Sequence, residues 1–302
     1  MKILNLFNAV VNYNLCFEID IFYCKFLFCD FFVSFSVFFF ECIDFVFVLL
    51  YNIGNMECGE VGMKKLFVCD FDGTLYKKNN ERQFKATMDM VKRLKSKGHE
   101  FVVATGRPLH LLEPYFEDFE NMYFISNDGA VLSKGFEFLF SRPLDKVLIK
   151  NKLCDFKGDF IAYGQCVTYA KYKEKSVGFK IDEFFRHHVM RIGCVGEIEE
   201  DIYKITFVGK EPKADFLDKC WNSYGVFEFV AKGVNKGESL KKLQKALGFT
   251  EENTIVIGDG ENDICMFEYG AKSYAMVSAS PRVKAKAGKT VENVMEILRG
   301  EI

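Results

Sequence analysis

The chain lacks both a strong net charge and closely spaced cysteine pairs. Its 302 residues include 40 Lys and Arg against 42 Asp and Glu, for a formal net charge of -2. This balance gives no electrostatic argument for a nucleic-acid partner or an acidic surface partner, and we expect neither. The eleven cysteines contain no Cys-x-x-Cys pair and no metal-ligand spacing, and Cys69 and Cys265 lie inside apolar stretches. They therefore favour a cytoplasmic protein with reduced thiols over a disulfide framework.

Basic residues are nearly missing from the first sixty positions, where Lys2 and Lys25 are the only ones before Lys64. Residues 1–62 instead form an apolar, Phe-rich extension. The segment from Phe31 to Tyr51 resembles a membrane span but contains two acidic residues, Glu41 and Asp44. Each would cost about 2.5–3.5 kcal/mol near the centre of an inserted helix. The extension has neither the basic start of a signal peptide nor a positive-inside flank.

Three interpretations of this extension are open: a poor membrane anchor, an unusual packed extension, or upstream sequence wrongly joined to the reading frame. Met56 and Met63 each offer a plausible alternative start. We favour the third interpretation and place the anchor second. A membrane partner is therefore not expected unless residues 1–55 are a true anchor, and the extension is not used to infer the fold.

From residue 63 onward, short apolar runs alternate with helical patterns. Such alternation predicts an α/β fold with a doubly wound parallel sheet. Ligands bind at the carboxyl ends of the strands in such sheets, and polar clusters follow each of these runs. The runs that predict strands are Leu66–Cys69, Phe101–Ala104, Met122–Ile125 and Thr254–Ile257, and those that predict helices are Phe84–Leu94 and Glu238–Leu247.

The regular alternation of strand and helix patterns changes between about residues 144 and 230. This stretch has no carboxylate cluster at a strand end. We interpret it as an inserted α+β cap domain over a core made of residues 63–143 and 231–302. The patterns predict cap strands over Ile161–Ala170 and Ile202–Val208, and cap helices over Ile181–Met190 and Lys213–Trp221.

The most informative motif is Asp70-Phe71-Asp72-Gly73-Thr74, which follows the first apolar run directly. Side chains two positions apart on a strand share a face, so Asp70 and Asp72 can reach one small site. Two carboxylates there repel each other unless a cation or a shared proton relieves the repulsion. The motif therefore suits a nucleophile bound to magnesium beside a general acid.

Three further motifs are weaker when each is taken alone. Thr105-Gly106-Arg107 offers a hydroxyl and backbone N–H groups for phosphate oxygens, but such a triplet is more often a simple turn. Lys236, just before a helix, is by itself most simply a surface charge. The acidic loop Gly258–Asp263 is by itself as easily a helix cap as a metal site. Together with Asp70 and Asp72 it brings up to four carboxylates to one edge, where Mg²⁺ is the natural cation.

The order of the four motifs resembles that of the haloacid dehalogenase (HAD) superfamily, and more narrowly its Cof-like sugar-phosphatase group. The resemblance covers residues 64–302 and implies a Rossmann-like core with an inserted α+β cap. The segment Asn127–Ala130 is similar to the group's Asn-Gly-Ala segment, with one inserted Asp at position 128. The position of the predicted cap, between the second and third motifs, also matches this group.

The resemblance implies a role for each motif residue. Asp70 would be the nucleophile that forms an aspartyl-phosphate, and Asp72 the general acid and base. Phosphate would be bound by Thr105, Gly106, Lys236 and Asn262. Mg²⁺ would be held by Asp70, the backbone carbonyl of Asp72, Asp259 and, in a supporting role, Asp263.

The implied function is a magnesium-dependent phosphatase acting on a small phosphorylated metabolite, such as a sugar phosphate. Two alternatives stay open: a phosphotransferase or mutase of phosphomannomutase type, and a non-catalytic binding protein that keeps the fold. The oligomeric state is not indicated. In the cap, His187-His188 is expected to be a surface pair, because adjacent helical residues point about 100° apart. Candidates for lining a substrate pocket are Tyr163, Tyr169 and Tyr172.

Overall fold

The apolar run that begins at Leu66 forms a central strand of the larger of two sheets. The structure, a computed structural model, describes residues 63–172, 189–223 and 225–301. The apolar extension and the His187-His188 pair lie outside these residues. In chain order the helices and strands are β1 (Leu66–Asp70), α1 (Glu81–Ser96), β2 (Glu100–Ala104), α2 (Glu113–Phe116), β3 (Tyr123–Ser126), β4 (Val131–Lys134), β5 (Glu137–Ser141), α3 (Lys146–Leu153), β6 (Asp159–Tyr163), β7 (Thr168–Lys171), β8 (Val189–Arg191), β9 (Lys204–Val208), β10 (Leu217–Ser223), β11 (Val226–Ala231), α4 (Lys236–Leu247), β12 (Thr254–Gly258), α5 (Ile264–Phe267), β13 (Lys272–Met276), α6 (Pro281–Lys284), β14 (Lys289–Val291) and α7 (Val294–Glu301).

The larger sheet has eight strands in the order β14-β13-β12-β1-β2-β3-β4-β5. The six strands from β14 to β3 run parallel, and β4 and β5 add an antiparallel edge. The strand order places β1 between β2 and β12, so the carboxyl ends of these three strands meet at one edge. The predicted α/β class with a doubly wound parallel sheet is confirmed.

The sheet is buried on both faces because helices cover each side. Phe67 and Cys69 pack with α1, whereas Leu66 and Val68 pack on the opposite face with α4. This two-sided burial explains why β1 is continuously apolar instead of alternating. α4 begins with Asn235, whose side chain accepts from the Glu238 N–H, and ends at Gly248 in the left-handed region.

The smaller sheet has six strands in the order β10-β11-β9-β6-β7-β8. All its pairs are antiparallel except β7 with β8. Its strands lie between residues 159 and 231, so all but the last residue, Ala231, fall in the stretch predicted as an α+β cap, which agrees with the expected fold class. The exact boundaries of core and cap stay a prediction.

Two details of the predicted cap were wrong. The stretch Lys213–Trp221 does not form a helix, because Leu217–Ser223 is strand β10. A β-bulge between Lys219 and Trp221 interrupts its register with β11, so the sequence does not show the alternation of a regular strand. The expected single strand Ile161–Ala170 is instead the hairpin β6–β7, in which the Gly164 N–H donates to the Val167 carbonyl.

The expected helix Ile181–Met190 lies outside the described residues up to position 188, and Met190 is in strand β8. Within the described part of the chain, no helix combines the length and apolar character needed to cross a bilayer.

Candidate active site

Asp70, the last residue of β1, lies at the centre of a buried ionic cluster. The Lys236 Nζ donates to Asp70 Oδ1 at 2.8 Å and to Asp263 Oδ1 at 2.7 Å. Lys236 is the first residue of α4 and is only 1% exposed, and Asp70 is 6% exposed. The structure thus brings together three predicted site residues from three separate motifs.

Three carboxylates crowd this cluster. Carboxylate oxygens of Asp70, Asp259 and Asp263 lie within 4.8 Å of one another. Burial, then the charge of Asp263, raises the pKa of Asp70 well above its usual value, although Lys236 opposes this. Burial also raises the pKa of Asp259. Burial opposes the charged form of Lys236, but the carboxylates outweigh it and its pKa is raised. One ammonium group therefore does not neutralise the site.

The loop after β12 positions Asp259. Asp263 Oδ2 accepts the backbone N–H of Asp259 at 3.0 Å and that of Gly260 at 2.8 Å. The Thr74 hydroxyl donates to Asp259 Oδ1 at 2.8 Å. Gly73 has a φ of +86°, and a Cβ there would lie 2.3 Å from Asp259 Oδ2. Glycine at position 73 is therefore required both for its backbone conformation and for the approach of Asp259.

Asp72 is outside the carboxylate cluster and pairs with Arg107. The Arg107 Nε donates to Asp72 Oδ2 at 2.7 Å and Nη2 donates to Oδ1 at 2.6 Å. The guanidinium also stacks over the Phe71 ring, 5.0 Å from its centroid. In the sequence, Arg107 belongs to a triplet that is more often a simple turn, whereas the structure makes it the partner of a predicted catalytic residue.

The predicted phosphate-binding residues line the same edge. Thr105 is buried and its hydroxyl accepts the Arg107 N–H at 3.1 Å. Asn262 Nδ2 donates to Asp128 Oδ1 at 2.7 Å. A Cβ at Gly106 would lie 3.1 Å from Asp128 Oδ2. Asp128 is thus packed between two of these residues, in a left-handed turn with a φ of 54°.

The cap strands contribute a second ionic group that sequence reasoning missed. The Lys204 Nζ donates to the Gly106 carbonyl at 2.7 Å, to Asp128 Oδ2 at 3.0 Å and to Glu228 Oε2 at 2.8 Å. Lys204 begins β9 and is 3% exposed. A sequence signal did exist: Lys204 and Thr206 are polar, while Ile205 and Phe207, which follow them in alternation, pack in the cap core. One face of β9 is therefore turned away from the cap's own core.

A cavity of about 400 Å³ lies between the ionic cluster around Asp70 and the ionic group around Lys204. Of the three tyrosine candidates, Tyr163 lines it. Tyr169 instead donates to Glu200 Oε1 at 2.6 Å, and the Tyr172 hydroxyl accepts from Arg191. Residues on the cavity wall include Asp70, Asp72, Thr105, Gly106, Tyr163, Lys204, Glu228, Asp259 and Asn262.

This arrangement of strand-end acids and a buried lysine agrees with the family comparison. Residues 67–296 match the family model described as haloacid dehalogenase-like hydrolase. The chain belongs to this family. The HAD-like chain is an enzyme of the phosphatase type, in the Cof-like group, as its motif order indicated. Enzymes of this superfamily generally use a divalent metal ion, and its phosphatases act on small phosphorylated substrates.

Relatives and solved structures cover most of the chain. The 5-amino-6-(5-phospho-D-ribitylamino)uracil phosphatase YbjI of Escherichia coli is 27% identical over 241 residues, or 74% of this HAD-like chain and 89% of the relative. The corresponding Bacillus subtilis phosphatase YitU is 26% identical and covers 74% and 91%. The structure of a HAD subclass IIB sugar phosphatase aligns with a TM-score of 0.65 at 21% identity, covering 79% of this chain and all of the other.

Proposed function

We propose that this protein is a cytoplasmic, magnesium-dependent phosphatase that hydrolyses a small phosphate monoester through an aspartyl-phosphate on Asp70. The observation that carries the proposal is the buried contact of Asp70 with Lys236, beside the carboxylates of Asp259 and Asp263. A nucleophilic carboxylate at the end of a parallel strand faces the edge where such sheets bind ligands.

The donor set fits a hard divalent cation. Oxygens of Asp70 and Asp259 lie close together, and burial raises the pKa of both carboxyls, so a cation between them would favour their ionised forms. Mg²⁺ prefers carboxylate and carbonyl oxygens, so Asp70, Asp259 and the Asp72 carbonyl would hold it. Asp263 already accepts three hydrogen bonds from Lys236, Asp259 and Gly260, so it would support the metal site by positioning these residues. When bound, the ion supplies charge compensation between the nucleophile and the phosphate.

The protein groups position the phosphoryl group. Lys236 holds one Asp70 oxygen in place and adds positive charge near the incoming phosphate. The Thr105 hydroxyl, the Gly106 N–H and the Asn262 amide lie on the cavity wall and would bind the equatorial oxygens. Phosphoryl transfer depends mainly on such positioning and charge compensation.

Asp72 would act as general acid and then as general base. Both of its oxygens are bound by Arg107, so the pair must separate before Asp72 reaches a leaving oxygen. A substrate phosphate competes for the same guanidinium, because Arg binds phosphate in the same two-pronged way as carboxylate. Substrate binding would thus free Asp72 for proton transfer.

The cap side of the cavity favours a polar leaving group. Tyr163, Lys204 and Glu228 line it. The Tyr163 hydroxyl and the Glu228 carboxylate are suited to substrate hydroxyl groups, whereas the three donors of the Lys204 ammonium are already used within the protein. A sugar phosphate or a phosphorylated polyol has this chemistry. The named substrate of the E. coli and B. subtilis relatives carries a phosphorylated ribityl chain, so it is included in the substrate set.

The test is a phosphate-release screen over sugar, polyol and nucleoside phosphates, with Mg²⁺ or with EDTA, on the full chain and on a chain beginning at Met63. We expect Mg²⁺-dependent release that Asp70→Asn abolishes. Water labelled with ¹⁸O distinguishes the mutase alternative, because only hydrolysis places solvent oxygen in the released phosphate. Activity retained in Asp70→Asn, or transfer of phosphate only to a second sugar, would refute the proposal.

A further inference from the structure

Two cysteines of the cap lie in direct contact. Among the described residues, neither of them contacts a residue of the proposed catalytic centre. Cys154 follows α3, and Cys194 precedes the short turn Val195–Glu197. Their sulfur atoms are 2.8 Å apart, although 40 positions separate the residues in the chain. A disulfide has an S–S distance of about 2.05 Å, so the sulfurs need to approach by only about 0.8 Å.

Local contacts hold Cys194 in this position. The Glu197 carboxylate accepts the N–H of Cys194 at 2.9 Å and that of Gly193 at 3.1 Å. Cys194 Sγ accepts the Gly196 N–H at 3.2 Å. A Cβ at Gly196 would lie 3.2 Å from Cys154 Sγ and 3.3 Å from Cys194 Sγ, so glycine leaves room for the sulfur pair. The hydrogen bond with Cys194 raises the pKa of Cys154.

The other described cysteines have different environments. Neither Cys154 nor Cys194 is fully buried, so a small oxidant can reach them. Cys69 is fully buried and donates to the Asp70 carbonyl. Cys166 is exposed, and Cys220 and Cys265 donate to oxygens near the cavity. Contact with a second thiol therefore distinguishes this pair.

We propose that Cys154 and Cys194 form a site of reversible oxidation, at which hydrogen peroxide converts the two thiols into an intrachain disulfide. The sulfur of Cys194, as thiolate, attacks one peroxide oxygen; an S–O bond forms, the O–O bond breaks, and hydroxide leaves and takes up the thiol proton as water. The sulfur of Cys154 then attacks the Cys194 sulfur; the S–S bond forms, the S–O bond breaks, and hydroxide leaves with the Cys154 proton as a second water. Two thiols are oxidised and one peroxide is reduced.

The disulfide would close a loop that contains strands β6, β7 and β8 of the cap sheet. It would join the end of α3 to the turn before β9 without using any residue of the carboxylate cluster. The inference is therefore independent of the proposed function, and its test needs no substrate.

The test is peptide mapping of the full chain after brief exposure to hydrogen peroxide and alkylation of the remaining thiols. Trypsin releases Cys154 in residues 153–157 and Cys194 in residues 192–204, each with no other cysteine. Without reductant we expect these two peptides as one linked species, lighter than their sum by two hydrogen atoms. Treatment with dithiothreitol should return both peptides as free thiols.

Matched variants decide whether the pair is specific. Cys154→Ser and Cys194→Ser should each abolish the linked species, whereas Cys166→Ser, which removes an exposed cysteine, should leave its yield unchanged. The proposal is overturned if both peptides remain separately alkylated under these conditions. It is equally overturned if either sulfur proceeds to sulfinic acid without linkage, or if Cys166 replaces one partner in the wild-type chain.

Discussion

Replacing Lys204 with methionine tests the ionic contact between the cap and the core most directly. Methionine keeps much of the length and apolar stem of lysine but removes the ammonium group. That group donates to Asp128 Oδ2, Glu228 Oε2 and the Gly106 carbonyl, and the lysine and Asp128 side chains are only 4% and 2% exposed. Without it, Asp128 remains as a buried carboxylate whose direct ammonium partner is lost.

The pKa of Asp128 gives the magnitude of the stabilisation to which Lys204 contributes. Burial raises it, but Lys204 and then Lys236 outweigh burial and lower the pKa from 3.8 to about 2. One pKa unit corresponds to about 1.4 kcal/mol, so the ionised form is favoured in the folded state by about 2.5 kcal/mol. Because the folded pKa is below the unfolded one, this stabilisation is present above about pH 4 and is lost as the pH falls towards 2.

We therefore expect Lys204→Met to lower the free energy of unfolding at pH 7 by about 2–4 kcal/mol, since breaking a buried pair strands a charge. It should also reduce the loss of stability between about pH 4 and pH 2, because without Lys204 the pKa of Asp128 in the folded state is no longer held so far below its pKa in the unfolded state. Urea unfolding at a series of pH values measures both effects.

A double-mutant cycle separates pairing from general damage. Asp128→Asn keeps an acceptor for Asn262, so the double variant should be less destabilised than the sum of the single variants. Lys219→Met is the control, because its pair with Glu211 is about 40% exposed and should contribute at most about 1 kcal/mol. If the destabilisation of the double variant equals the sum of the two single destabilisations within about 0.5 kcal/mol, the assignment of a buried charge pair is refuted.

Three further predictions concern the core side of the cavity. Gly73→Ala should weaken Mg²⁺ binding at least tenfold by calorimetry, because its Cβ would displace Asp259; unchanged affinity would contradict the close approach. Asp72→Asn should lower kcat by at least about 100-fold, the usual contribution of a general acid, while the affinity for Mg²⁺ changes by no more than a few-fold. Near-normal turnover would show that Asp72 is not the acid–base residue. Arg107→Met should raise KM for substrate more than it lowers kcat, and an unchanged KM would show that Arg107 does not meet the phosphate.

The core and its motif residues were predictable because they depend on local and periodic signals. A buried parallel strand needs an uninterrupted apolar run, so β1, β2 and β12 are visible in the sequence. The polar residues that follow each run lie at the carboxyl edge by topology alone. The approach of Lys236 to Asp70 was suggested by motif order, and the structure adds the 2.8 Å contact.

The cap was less predictable, for reasons specific to its strands. β10 carries a bulge that removes its period-two pattern, and β6 and β7 are separated by a tight turn without a strong turn sequence. Pairing with β11 and β9 determines these strands, and such pairing is not a property of the local sequence.

The amino-acid sequence by itself determined which residues stand at the ends of the core strands and hence which acids, including Asp70 and Asp259, can meet at one edge of the sheet. Only the tertiary structure determined which charges meet across the cavity. Lys204 and Asp128 are 76 positions apart, and Arg107 and Asp72 are 35. A lysine or arginine has the same sequence signature whether it faces water or a buried carboxylate, because burial and pairing arise only when separate strands pack together.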